Sequence, residues 1–270
     1  MDIRLRLEEP ADYRFVEELT REAFWGLNQP GCDEHLLVHK LRKIRAFVPE
    51  LDFVAEVQGK IVGNIMYSKA KVVDERGVEH KVLTFGPVSV LPEYQGKGIG
   101  KALLEHTIAE ARRLGYTAIV FYGHPDYYPR FGFRRAEEFN ITTASGTTRD
   151  SLMAMPLHEG ALCGISGRFY EDPVCQIDPE EAAEFDKDFP PKEKRELEPV
   201  DILLEKLAPP AQEAIRERGI KYLTTLTRFS GLEIASWPGI GETAKAIIND
   251  VLVKHGYPPK VFNPPKEWCV

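Results

Sequence analysis

Apolar residues recur at helical spacing from Ile99 through Leu103, Leu104, Ile108 and Ala111 to Leu114, and Gly115 follows as a stop. The residues upstream follow another pattern. Val82-Leu83-Thr84-Phe85 and Val88-Ser89-Val90 have the β-branched and apolar content of a largely buried strand. Between the two, Gly96, Gly98 and Gly100 fall where a strand would hand over to a helix. Strand, glycine turn and helix are therefore predicted over Leu83–Leu114, with Gly86-Pro87 marking a bulge or splay in the strand.

The same patterns organise the rest of the chain. A short strand over Ile3–Leu7 precedes a helix from Pro10 to about Phe24, with Phe15, Val16, Leu19 and Ala23 on its apolar side. Glu9, Glu17, Glu18 and Arg21 fall on its polar side. Asp33 is positioned to cap a second helix that carries Leu36, Leu37, Leu41 and Ile44. Strands are expected over Asp52–Val57, Ile61 to about Val73, and from Glu79 onward, then over Ala118–Tyr122, Phe133 to about Thr142, and Leu152–Leu157. Three antiparallel strands feeding a strand–helix–strand crossover give an α+β fold. From Glu171 to Pro199 the composition turns acidic and proline-rich, with a short acidic helix at Pro179–Phe185 and an exposed connector at Pro190–Arg195. Beyond it, short helices are predicted over Ile202–Leu207, Pro210–Arg218, Ile220–Phe229 and Leu232–Ser236, and a longer one runs to His255. The expected division is a first domain at 1–196 and a small all-α domain at 197–270.

Composition narrows the function classes. A chain of 270 residues with 43% hydrophobic and 29% charged residues can bury one large core or two modest ones. The N-terminal residues show no apolar signal segment and no run approaches a membrane span, so a cytoplasmic protein without a membrane partner is expected. Cys32, Cys163, Cys175 and Cys269 lack metal-binding or disulfide-framework spacing, and no metal is expected. A net charge of −7 argues against a general polyanion-binding surface.

A glycine row opening a helix removes side chains where backbone N–H groups and the positive end of the helix dipole can meet a phosphate. The spacing Gln95 to Gly100 excludes the dinucleotide fingerprint G-x-G-x-x-G, and no P-loop sequence occurs. The pattern resembles the acyl-CoA loop of the GNAT N-acetyltransferases, Q/R-x-x-G-x-G/A after a strand ending V-x-P. Gln95, Gly98 and Gly100 match it, with Val90 and Pro92 upstream. Downstream, Tyr128, Gly132 and Phe133 resemble the family's closing Y-x-x-x-G-F signature. The resemblance covers about the first two thirds of the chain and is nearest to the YhbS-like branch.

That resemblance implies a GNAT fold with strands four and five splayed, acetyl-CoA as co-substrate, and a primary amine as acceptor. Its loop would hold the pyrophosphate through the backbone of Gln95, Gly96, Lys97, Gly98, Ile99, Gly100 and Lys101, with both lysines adding charge. The backbone of Val88 and Val90 would pair with the pantetheine arm. Phe24, Trp25 and Asn28, in the loop after the first helix, are implied acceptor contacts, Phe24 reading better as a core aromatic. Tyr128 would act as general acid, since a phenol of pKa ~10 stays protonated at neutral pH. His124 is a candidate base, a positioning group or a cap for the following turn, and a carboxylate such as Glu56 acting through water is another base. The family also allows a homodimer.

Residues 197–270 resemble the C-terminal domain of the bacterial RNA polymerase alpha subunit, through the helix-hairpin-helix turn Pro238-Gly239-Ile240-Gly241 followed by Ala244, Ala246 and Ile247. Such a turn can hold a DNA phosphate. Residues 198–270 carry nine basic and nine acidic residues, however, and Glu242 stands where a basic residue is usual. The alpha-subunit contact positions align with Pro210, Glu213, Thr243 and Ala244. A protein partner therefore ranks above DNA. The leading expectation is an acetyltransferase; the alternative is a non-catalytic acyl-CoA-binding regulator tied to transcription.

Overall fold

The computed structural model describes residues 1–27, 29–227 and 229–262. Among these, strands β1 (Arg4–Leu7), β2 (Phe53–Val57), β3 (Lys60–Val73), β4 (Glu79–Val90), β5 (Ala118–Tyr122), β6 (Arg134–Arg135), β7 (Ile141–Thr142), β8 (Leu152–Pro156) and β9 (Gly167–Tyr170) form one mixed sheet. Its order is β1-β2-β3-β4-β5-β8-β6, with β9 pairing both β3 and β7. Strands β1 to β4 are antiparallel, and β5 joins β4 in parallel after a helical crossover.

Side-chain alternation sorts the sheet into two faces. Ile65, Tyr67, Leu83, Phe85, Ile119 and Phe121 meet Ile99, Leu103, Leu104 and Ile108 of helix α3 (Ile99–Arg113) in the main core. On the opposite face Met66 packs with Val38 and Leu41 of α2 (Glu34–Leu41), and Val72, Val82, Val120 and Phe169 form a further cluster. Helix α1 (Tyr13–Phe24) lies on this second face, where the Thr20 hydroxyl bonds that of Ser89 on β4 at 2.9 Å.

Two residues on the polar side of α1, Glu17 and Arg21, are buried, while Glu9 and Glu18 stay exposed. Arg42 reaches Glu17 at 3.2 Å and Glu8 at 2.6 Å, while Arg21 forks onto Asp186 at 2.6 and 3.1 Å. Charges go inside here because each has an opposite partner, and most of those partners lie far away in sequence. Asp33 precedes α2, but its side chain makes no capping bond.

The expected strand over 133–142 is broken into β6 and β7 by a short 3-10 turn at Ala136–Phe139, ending at Asn140 with φ +57°. Strand β9 is an addition to the sequence reading. Strand β2 covers β3 only as far as Phe53↔Ile65, and β9 covers its far end at Lys71–Val73. The close approach requires Gly167: a Cβ there would stand 2.1 Å from the Val73 carbonyl oxygen.

Helix α4 (Pro179–Phe185) forms as expected, capped by Asp178. The connector Pro190–Arg195 after it is mostly exposed, as expected, and is tethered at its start. Phe189 is buried beneath the Arg14 guanidinium at 3.7 Å, and Lys192 pairs with Glu22. Helices α5 (Asp201–Leu204), α6 (Pro209–Arg216), α7 (Leu223–Leu226), α8 (Gly231–Ala235) and α9 (Glu242–Lys254) follow. They enclose their own buried cluster, including Leu203, Ile215, Leu223, Leu226, Ile248 and Leu252. Of the helix expected over Ile220–Phe229, the described residues form only α7. No helix among the described residues is long and apolar enough to cross a membrane.

Candidate active site

The parallel pair β4–β5 is joined at a single register, Leu83↔Ile119, and β4 then continues to Val90 paired with β3 but not with β5. Gly86 and Pro87 cause the departure: Ile65 pairs with Val88 but Tyr67 pairs with Phe85, so two residues of β4 oppose Met66. Beyond this bulge the Leu91 N–H bonds the Val62 carbonyl at 3.0 Å. By ladder alternation the N–H groups of Val88 and Val90 turn away from β3, toward the gap beside β5. The gap thus has one wall of unpaired backbone.

At the mouth of this gap, Gly96 and Gly98 adopt φ +71° and +88°, and Gly98 caps α3. Among the described residues no backbone N–H from Gly96 to Lys101 donates to a protein acceptor. The helix dipole adds positive potential at the same place. Gly100 is informative because its φ is ordinary. A Cβ there would meet only Val90 Cγ2 at 3.8 Å and Tyr127 Oη at 3.9 Å, so the protein has room for one. Its absence leaves open space for a ligand. The side chains contribute less. Gln95 donates to the Val90 carbonyl at 3.0 Å and Lys97 to the Glu93 carbonyl at 2.7 Å, both bracing the loop. Lys101 lies near Glu105 at 3.8 Å in solvent, and the Ile99 side chain is buried in the core.

Tyr128 stands on the α3 face of the gap. Its ring meets Phe121 edge-on at 4.6 Å and lies 5.8 Å from Phe85 and 5.9 Å from Phe133. Gly123 makes room for it: a Cβ there would sit 2.6 Å from the Tyr128 ring. The hydroxyl bonds no described residue, and burial pushes its pKa above the ordinary phenol value. It therefore remains a proton donor through the neutral range. Tyr127 is the tyrosine that reaches the start of α3.

His124 is differently occupied. Its Nδ1 accepts the Asp126 N–H at 3.3 Å, which leaves the proton on Nε2, 3.0 Å from the Thr227 carbonyl. His124 thus caps the turn that follows it, one of the roles expected of it, and braces the β5 turn against the C-terminal helices. Glu56 is removed as a base, since Arg6 holds it at 2.7 Å on β2, with β3 and β4 between it and the gap. Trp25 donates from Nε1 to the Glu193 carbonyl at 2.9 Å under the Arg21 guanidinium, clamping the connector. Asn28 lies outside the described residues. A cavity of about 850 Å³ beside α1 includes Phe15, Leu19 and Leu91 in its lining. Its carboxylates already have cations: Asp12 and Glu56 face Arg6, Glu22 faces Lys192, and Glu93 faces Lys60. Among the described residues no cluster of His, Cys, Asp or Glu could hold a metal ion.

Residues 50–135, which contain β4, the glycine loop, α3 and both tyrosines, match the acetyltransferase (GNAT) domain. Two uncharacterized N-acetyltransferases of Escherichia coli K12 are similar in sequence. YjhQ is 35% identical over 127 residues, 47% of this chain and 67% of its own. YhbS is 27% identical over 163 residues, 60% of this chain and 92% of its own. The crystal structure of E. coli YhbS in complex with CoA superposes with a TM-score of 0.57 at 25% identity, covering 64% of this chain and 91% of that one. A GNAT family acetyltransferase from Brucella melitensis, in complex with acetyl-CoA, gives 0.51 at 27% identity, covering 65% and 99%. The chain belongs to the GNAT acetyltransferase family, and its mixed sheet flanked by helices is the GNAT fold.

Proposed function

We propose that the protein moves the acetyl group of acetyl-CoA to a primary amine by direct transfer in a ternary complex. The observation that carries this reading is the run of unpartnered amides from Gly96 to Lys101 at the mouth of the β4–β5 gap, with the free Tyr128 hydroxyl beside it. The CoA and acetyl-CoA held by the two structural relatives support the same ligand here. The residues present fit it. Open amides suit a pyrophosphate, and the unpaired N–H groups of Val88 and Val90 suit an amide-bearing arm. Backbone donors near the bulge would also favour the oxyanion that develops on the thioester carbonyl. Tyr128 donates its proton to the departing thiolate.

The domain division at 196/197 belongs to this reading, and the protein works in the cytoplasm. The C-terminal helices hold the acceptor side of the first domain: Thr224 donates to the Leu27 carbonyl at 3.0 Å, His124 to Thr227, and Ser230 to Asp150. With Glu242 at the start of α9 and paired to Lys245, we favour this packing role, or a protein partner, over DNA.

The test is Tyr128→Phe assayed by thiol release with acetyl-CoA and a panel of primary amines. Turnover should fall by roughly 10²–10⁴-fold. CoA affinity measured by calorimetry should stay within about a factor of two, because only one O–H is removed. Unchanged turnover removes Tyr128 from the chemistry, and absence of CoA binding by the wild type removes the reading.

A further inference from the structure

Thr84 is the first residue of β4 beyond its one register with β5, and its side chain points to the α1–α2 face, opposite Leu83 and Phe85. Its hydroxyl donates to a carboxylate oxygen of Glu171 at 3.4 Å. Glu171 follows β9 immediately, so the pairing of β9 with β3 delivers it to the fork of the splayed strands. No cation lies within salt-bridge distance of it among the described residues. Phe169, two residues earlier and on the same side of β9, meets the ring of Tyr122 at 6.0 Å, and that ring stays partly exposed at the end of β5. The Arg149 guanidinium also acts on Tyr122. Burial holds Glu171 above the ordinary carboxylate range, and the Thr84 hydrogen bond partly offsets that shift. An unneutralised carboxylate beside an open aromatic ring is suited to a cation.

We propose that Glu171 and Tyr122 form the acceptor subsite: a primary ammonium enters from the α1–α2 face, its charge is met by the Glu171 carboxylate and the Tyr122 ring, and Glu171 takes the proton that frees the nitrogen. This rests on the acetyltransferase reading above. The two faces of the gap then divide the proton traffic, with Glu171 accepting on one side and Tyr128 donating on the other. The ammonium gives one proton to Glu171, and the freed lone pair forms the C–N bond as the C–S bond breaks. Tyr128 protonates the sulfur. The nitrogen's second proton leaves as the amide forms and balances the one Tyr128 gave, while the proton on Glu171 passes to solvent. The products are a neutral amide, CoA thiol and one released proton.

The experiment titrates CoA-saturated protein by calorimetry with aliphatic diamines, aromatic ethylamines and amino sugars, each beside its hydroxyl analogue. It then records kcat/KM against pH for the amine that binds best. Wild type should bind an amine and not its alcohol. Glu171→Gln should weaken amine binding at least about tenfold, remove the acidic limb of the profile and leave CoA affinity unchanged. Thr84→Val, which keeps the carboxylate, should retain amine binding and move the acidic limb to higher pH. Should Glu171→Gln fail to fold, the Thr84→Val limb decides alone, and an unmoved limb overturns the proposal. Equal amine binding or an unchanged limb in a folded Glu171→Gln variant does the same. If no amine binds wild-type protein that does bind CoA, the subsite is wrong and the cofactor half stands. If CoA itself does not bind, the fault lies in the acetyltransferase reading.

Discussion

Two helices in this chain open on glycine turns that look alike in sequence, and the structure uses them in opposite ways. Gly96-Lys97-Gly98 leads into α3, and Gly239-Ile240-Gly241 leads into α9. A Cβ on Gly239 would stand 2.6 Å from the backbone carbon of Pro210 at the start of α6, so that glycine is there for packing. No protein atom lies within 4 Å of a Cβ placed on Gly96 or Gly98. The first turn of α9 carries Glu242, whereas no side chain in the first turn of α3 is acidic. A glycine motif therefore separates into two meanings once the space around it is known. Gly239 fills a contact inside the protein, whereas Gly96 and Gly98 leave volume for a ligand; at α9 the space at Gly241 is open too, and it is the Glu242 carboxylate that disfavours an anion there.

Substitutions at these turns should separate stability from binding. Gly239→Ala should have the largest effect, because the clash adds to the cost of φ +81° at a non-glycine residue. About 3 kcal/mol of destabilisation is expected from strain and overpacking together, read as a lower Tm with CoA affinity intact. Gly100→Ala should do the reverse. Alanine in a helix is favoured over glycine by about 0.5–1 kcal/mol, so Tm should rise slightly while CoA affinity falls about tenfold as the methyl occupies ligand space. Equal losses of stability at both positions would erase the distinction.

A smaller effect is expected from pH. Burial and the nearby Asp150 push Glu233 of α8 up to about 7. In the folded protein it is protonated at a pH where the unfolded carboxyl is already ionised. Its stabilising contribution is present in full below the unfolded value near 4.5 and is lost as pH rises to about 7. Unfolding of the C-terminal helices followed from pH 5 to 8 should show that decline, and Glu233→Gln should flatten it without moving the CoA dissociation constant. The smallest change belongs to Lys101→Ala. An exposed ammonium should be worth at most about 1 kcal/mol to a phosphate and less in high salt, visible as a weakly salt-dependent loss of CoA affinity.

The residues that revealed the fold were those whose local pattern is self-sufficient. The apolar stripe of α3, the glycine turn before it and the Gly86-Pro87 interruption each specify geometry from neighbours in sequence, and all three appear in the structure. What stayed hidden depended on distant partners. Glu17 and Arg21 look like a solvated helix face until Arg42 and Asp186 fold over them. Strand β9 is a four-residue strand with no alternation to mark it, and it forms because β3 outruns β2. Glu171 looked like the start of an acidic connector, and only β9 carries it to the fork of β4 and β5. His124 showed the converse limit: its residue type suits a base, but a carbonyl from the C-terminal helices takes its proton-bearing nitrogen.

The central claim is that the amides of residues 96–101 hold the phosphates of CoA while the α9 turn does not. The direct measurement is a ¹⁵N-resolved amide titration of the full chain with CoA. The largest shifts should fall on Gly96 to Lys101, with Val88 and Val90 moving in parallel and Gly241 to Ala244 unchanged. Silent amides at 96–101, or leading shifts at the start of α9, would contradict it.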